Sequence, residues 1–150
     1  MAQIAGRHLQ HFSGVEAVEE RKEILTSLNV AITDMGLRVS RNGESSLDEN
    51  LDAIEYMDIL EILNDNPLIH KIIFTSSSGK VSASRWFLNY LKQKEILHKF
   101  PKGLKPLHSV FNYNGRSIKL VILYSPSRRA ANRISPDKLT AMYRAEIYDE

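Results

Sequence analysis

Val15, Val18, Leu25 and Leu28 recur at helical spacing while Glu16, Glu19, Glu20 and Glu23 fall between them, which predicts an amphipathic helix over 14–28. Ser13-Gly14-Val15-Glu16 matches a capping box, in which the serine accepts a backbone N–H and the glutamate reaches back. Asn29 ends the helix, and Val30-Ala31-Ile32-Thr33 reads as a short buried strand closed by Asp34. Gly36 to Asn50, rich in arginine, serine and Asn-Gly, reads as a long loop. Ile59, Leu60 and Leu63 predict a short helix near 57–65, ended before Pro67, and Ile69 to Thr75 predicts a second buried strand.

Ser76-Ser77-Ser78-Gly79 then predicts a tight turn carrying its own capping serine, followed by a helix with Val81, Phe87, Leu88 and Leu91 on one face and Trp86 beside it. A basic, proline-containing connection over 94–106 carries Lys94, Lys99, Lys102 and Lys105. Ser109-Val110-Phe111 and the apolar run 118–123 flank Asn114-Gly115, the residue pair that favours a two-residue hairpin. Ser135-Pro136-Asp137 starts a last helix, with Leu139, Met142, Tyr143 and Ile147 as its buried face. Alternation of helix and strand predicts an α/β layered domain with a mainly parallel sheet. Residues 1–12 show no period and are expected to be poorly anchored.

Composition narrows the classes. The 150 residues suit one domain with a real core, and 43% hydrophobic with 25% charged residues is ordinary for a globular chain. No apolar run approaches the roughly 20 residues of a membrane span, and no signal-peptide core is visible, so no membrane partner is expected. The absence of cysteine excludes disulfides, thiolate catalysis and cysteine-held zinc. A cytoplasmic location is the expectation. Charge is divided unevenly: residues 1–70 hold 13 acidic against 5 basic side chains, and residues 71–150 hold 15 basic against 5 acidic. Such a division points the second half at an anionic partner, nucleic acid first, unless the halves neutralise each other across the fold.

Few motifs carry chemistry. Ser78-Gly79-Lys80 has part of a phosphate loop, but Phe74 stands where its upstream glycine belongs and Val81 follows the lysine, so a helix cap is the better reading. His8 and His11 share helical spacing without a nearby carboxylate, and no metal is expected. Asp34 closes an apolar strand, where a carboxylate has to be solvated, paired or functional. Ser125-Pro126-Ser127-Arg128-Arg129 follows the densest strand and offers hydroxyls, a stiff backbone and two guanidinium groups, with Asn132 as a further polar contact.

Four stretches in order, LNVAITDM, SSLDENLDAIEYMDILEILNDNPLIHKIIFTS, SGKVSASRWF and VILYSPSRRAAN, resemble the uracil-DNA glycosylase superfamily, particularly its mismatch-glycosylase-like bacterial branch. The resemblance runs from about Glu19 to Tyr148. It implies a three-layer α/β/α fold with a mainly parallel sheet, and base-excision repair by hydrolysis of an N-glycosidic bond on a flipped base, with no cofactor. It implies DNA as partner, with Ser125, Pro126, Ser127, Arg128, Arg129 and Asn132 on the DNA backbone. Asp34 would contact the base, standing where many members carry an asparagine, although an ionised aspartate accepts and does not donate. Ser125 stands where the family often carries a histidine or asparagine that stabilises the departing base, and is the one catalytic candidate.

Nothing in Met1 to Ser13 matches the family's first motif, the Gly/Pro-rich loop that positions water, or the strand before it. The expectation is therefore a glycosylase-like fold without its first strand, acting as a DNA-binding protein. The alternative is a non-catalytic nucleic-acid-binding or assembly module, pairing with a second copy through an unpaired sheet edge.

Overall fold

The computed structural model describes residues 1–43, 50–127 and 133–149, and divides into two compact units: 1–33 with 128–150, and 34–127. The first unit holds α1 (Gly14–Ser27) and, near the chain's end, α4 (Pro136–Tyr148). The second holds β1 (Gly36–Arg41), β2 (Leu51–Tyr56), α2 (Ile59–Asp65), β3 (Lys71–Phe74), α3 (Ala83–Gln93), β4 (Leu107–Tyr113) and β5 (Arg116–Ile122).

In the first unit α1 ends in a Schellman motif. Asn29 adopts a left-handed φ of 52°, its N–H reaches Thr26 O, and the Val30 N–H reaches Leu25 O at 3.0 Å. That cap spends the Val30 amide, and Val30–Thr33 forms no strand: Ile32 is 64% exposed, and Asp34 is exposed beyond it. The expected buried strand is thus corrected. Ser13 does stand at the N-cap, but its side chain makes no capping bond. The face that α1 buries carries Ala17 and Ile24, with Leu28 just past its end, and leaves Val15 and Val18 exposed. Residues 1–12 are held at two points. Glu20 accepts the Gln10 and His11 amides at 2.7 and 2.9 Å, while Arg144 and Tyr148 of α4 donate to the Gln3 and Ile4 carbonyls. On α4, Ser135 accepts from the Lys138 amide as expected of a cap, and burial falls on Tyr143 and Glu146.

In the second unit three strands pair in the order β3-β5-β4. β3 runs parallel to β5, from Lys71↔Lys119 to Phe74↔Ile122, whereas β4 and β5 are antiparallel. Asn114 and Gly115 close the β4–β5 turn with φ of 48° and 73°, the left-handed pair a two-residue hairpin requires. β1 and β2 form a separate antiparallel ribbon, with β1 lying where a loop was expected. The class is mixed α/β, but the mainly parallel three-layer sheet is not found: one of the three pairings among the described residues is parallel.

The core lies on one face of the three-stranded sheet. Ile118, Leu120 and Ile122 of β5 and Phe111 of β4 meet Leu60 and Leu63 of α2 and Phe87, Tyr90 and Leu91 of α3. Phe87 links the layers, its ring 5.0 Å from that of Phe74 and 6.1 Å from that of Phe111, edge-on to the latter. Val121 and Leu123 are also fully buried.

Candidate functional site at the ends of β3 and β5

Because β3 and β5 are parallel and in register, both chains leave the sheet at the same end. Strands pair at about 4.8 Å, so Thr75–Ser78 and Tyr124–Ser127 depart side by side. The Leu123 N–H extends the ladder by one more bond, to Phe74 O at 3.0 Å. The serines of the two loops, Ser76–Ser78 and Ser125 with Ser127, are therefore brought to the same end of the sheet.

The first loop is strapped to the helix it feeds. Ser76 Oγ accepts the Ala83 amide at 2.9 Å and Ser76 O accepts the Ser84 amide at 3.2 Å. The capping serine is thus Ser76, acting from outside the helix. Ser82, at the N-cap position, is buried with an Oγ that has no hydrogen-bond partner among the described residues. These bonds spend the first amides of α3, so the partial phosphate loop around Gly79-Lys80 forms no open cradle. Lys80 pairs with Asp52 at 2.6 Å.

In the second loop Ser125 Oγ accepts the Ser127 amide at 3.2 Å, a serine turn that sets the loop's direction. Ser125 is half-buried, while Pro126 and Ser127 are exposed. Beside them the Lys105 Nζ lies 5.0 Å from the centre of the Tyr124 ring. The β4 register explains this neighbour: Leu107 pairs with Ile122, which carries Lys105-Pro106 to the level of Leu123-Tyr124. Ser77 is half-buried and Ser78 exposed, and neither hydroxyl has a partner among the described residues. The end of the parallel pair thus carries the Ser77 and Ser78 hydroxyls, with the Lys105 ammonium group over the Tyr124 ring beside Ser125.

Asp34 lies outside any strand, so the strand end expected to carry it is not formed. Arg128, Arg129 and Asn132 lie outside the described residues. From sequence Lys105 was one lysine of a basic connection and Tyr124 was not singled out. The available signal was a lysine two residues before the hairpin strand and a tyrosine between the buried run and Ser-Pro.

A second polar cluster, also absent from the sequence reading, joins α2 to α3. Asp58 caps α2 by accepting the Glu61 amide at 3.1 Å, and takes the Tyr90 hydroxyl at 2.5 Å and Lys94 Nζ at 2.9 Å. The Tyr90 oxygen in turn accepts the buried Leu60 amide at 3.0 Å. Donors hold the Asp58 carboxyl down to about 2: Lys94 first, then Tyr90 and the Glu61 amide. Burial, then the Asp58 carboxylate, push the Tyr90 phenol up. A cleft of about 500 Å³ opens here, lined among others by Leu37, Ile54, Met57 and Ile62. Arg116 is likewise internal in its bonding, giving its guanidinium to the Leu63 and Asn66 carbonyls at the end of α2 and to the Ile69 carbonyl in the connection to β3.

Comparisons with known proteins add no relative: no protein-family model, no curated protein and no solved structure matches the chain. Among the described residues, no helix is long and apolar enough to cross a membrane.

Proposed function

We propose that the chain binds DNA through the paired loops at the ends of β3 and β5, as a glycosylase-like protein that contacts the phosphate backbone without cleaving a glycosidic bond. The observation that carries the reading is the parallel register of β3 and β5, which sets Ser76–Ser78 beside Ser125–Ser127 with Lys105 at hand. Hydroxyls and ammonium groups suit phosphate oxygens, and contacts of this kind hold a duplex without reading its sequence. Support also comes from the 15 basic side chains of residues 71–150, which give that half an attraction for a polyanion. The ordered resemblance to the uracil-DNA glycosylases supports DNA over other polyanions, and a cytoplasmic location goes with it.

Against catalysis stand Ser125, which replaces a better oxyanion partner at the one candidate catalytic position, and the base-reading candidate Asp34, which is exposed and sits on no strand end. The test is fluorescence anisotropy of a labelled duplex with the wild type and with Ser125→Ala/Ser127→Ala/Arg128→Ala/Arg129→Ala. Affinity should fall at least tenfold in the variant and decline steeply with salt in the wild type. Binding that is undetectable at low salt, or equal in the two proteins, removes the proposal. Free base released from uracil-, hypoxanthine- or mismatch-containing duplexes would restore the enzymatic reading.

A further inference from the structure

Two exposed surfaces of this chain are opposite in charge and alike in carrying uncovered apolar side chains. The first belongs to α1 and the segment before it. Because Glu20 clasps the Gln10 and His11 amides, that segment folds back along the helix and leaves a groove of about 480 Å³, lined by Val15, Glu16, Glu19 and Glu23 among others. Val15 is 73% exposed, and Phe12, two residues before the helix, is 78% exposed. Glu19 is paired with Lys22 at 2.8 Å, but Glu16 and Glu23, seven residues apart and so on one face, have no partner among the described residues. The second surface is the connection 94–106. Leu97 and Leu104 there are 91% and 87% exposed, and Lys99 and Lys102 between them are exposed and without partners among the described residues.

An isolated exposed leucine needs no explanation, but apolar side chains interleaved with charges of one sign form a recognition surface. Each surface has what the other lacks. A groove walled by glutamates around the exposed Val15 accepts a basic segment that carries exposed leucines, and this chain displays such a segment.

We propose that the α1 groove of one copy docks the 94–106 connection of a second copy, with Glu16 and Glu23 facing Lys99 and Lys102 and the leucines entering beside Val15 and Phe12. The contact is heterologous: two different patches meet, so two copies can exchange it reciprocally or pass it along a chain of copies. It is small beside a standard interface and depends on exposed charges, so the association is weak and screened by salt.

The experiment is sedimentation equilibrium on nuclease-treated, nucleic-acid-free protein across a concentration series. At low salt the mean mass should rise with concentration from 17.1 kDa to at least twice that value, and about 0.5 M NaCl should return it to the monomer. Glu16→Lys/Glu23→Lys alone and Lys99→Glu/Lys102→Glu alone should each stay monomeric, because like charges then face each other. An equimolar mixture of the two variants should associate again, since every groove then finds a segment of opposite charge. All four residues are exposed, and circular dichroism checks that both variants fold. A wild type that stays monomeric at low salt overturns the proposal, as does a mixture that fails to associate. Association that survives charge reversal in either variant also overturns it and points to strand addition at the edges of β3 or β4.

Discussion

The two polar clusters of the second unit use their hydrogen-bonding capacity in opposite ways. Around Asp58 it is turned inward: one carboxylate serves a helix amide, a phenol and an ammonium group, and the phenol serves another amide. At the ends of β3 and β5 the loops use one serine to strap a helix and another to close a turn, and leave Ser77 and Ser78 without partners among the described residues. A polar group bonded to its own chain stabilises the fold, and one left facing solvent is available to a ligand. Substitutions should therefore separate the clusters, one lowering stability and the other affinity.

Arg116→Ala tests the inward side most severely, because it removes donors to three carbonyls between the last turn of α2 and β3. Urea unfolding should show a loss of about 2–3 kcal/mol, the range for bonds made by a charged group. Its salt dependence of DNA binding should match the wild type, although Arg116 is one of the basic residues of that half. Asp58→Ala should cost about 1–2 kcal/mol, as expected for a helix cap that also leaves a buried phenol without its acceptor.

Acid should reproduce part of this loss. The Asp58 carboxyl is held from the usual 3.8 down to about 2, so its contribution is complete above about pH 4 and disappears as pH falls through about 2. Asp58→Asn should flatten that limb of a stability–pH curve, and an unchanged limb would remove Asp58 as its source.

His98 predicts a smaller slope in another window. It lies edge-on to the rings of Phe100 and Phe111 and 3.0 Å from Ser109 Oγ, and burial lowers its pKa below the ordinary 6.5. The unfolded chain then binds the proton more readily, so stability is constant above about pH 6.5 and declines as pH falls below it. His98→Phe should abolish that decline. Ser78→Ala and Ser127→Ala complete the comparison at the small end: both residues are exposed and neither hydroxyl has a partner among the described residues, so stability should change by no more than about 0.5 kcal/mol while DNA binding weakens.

How far the sequence revealed this arrangement depended on how one-sided each segment is. The β4–β5 hairpin was legible because Asn114-Gly115 fits one turn type, and β5 because its apolar run is too dense to face water. The ribbon of β1 and β2 was hidden because the alternation Leu37-Arg38-Val39-Ser40 is only four residues long and runs into Asn42-Gly43, and its apolar side chains, like Ile54, are exposed and contribute no core pattern. On α1 two apolar stripes compete, Val15 with Val18 and Ala17 with Ile24. Periodicity alone cannot choose between them, because burial depends on what the helix packs against. The strand expected before Asp34 was misread through the same ambiguity, since three apolar residues, Val30-Ala31-Ile32, are too few to separate a strand from the exit of a helix cap. The pairing of the serine loops was half legible: both strands were visible, but their shared direction depended on tertiary pairing.

The most direct measurement is the slope of log K against log salt for a labelled duplex, compared between wild type, Lys105→Ala and Arg116→Ala. Lys105 at the paired loops should count as a phosphate contact, so its removal should lower the slope by about 1, while Arg116→Ala leaves it unchanged. Equal slopes for the wild type and Lys105→Ala, or a reduction in Arg116→Ala instead, would contradict the division between the two clusters.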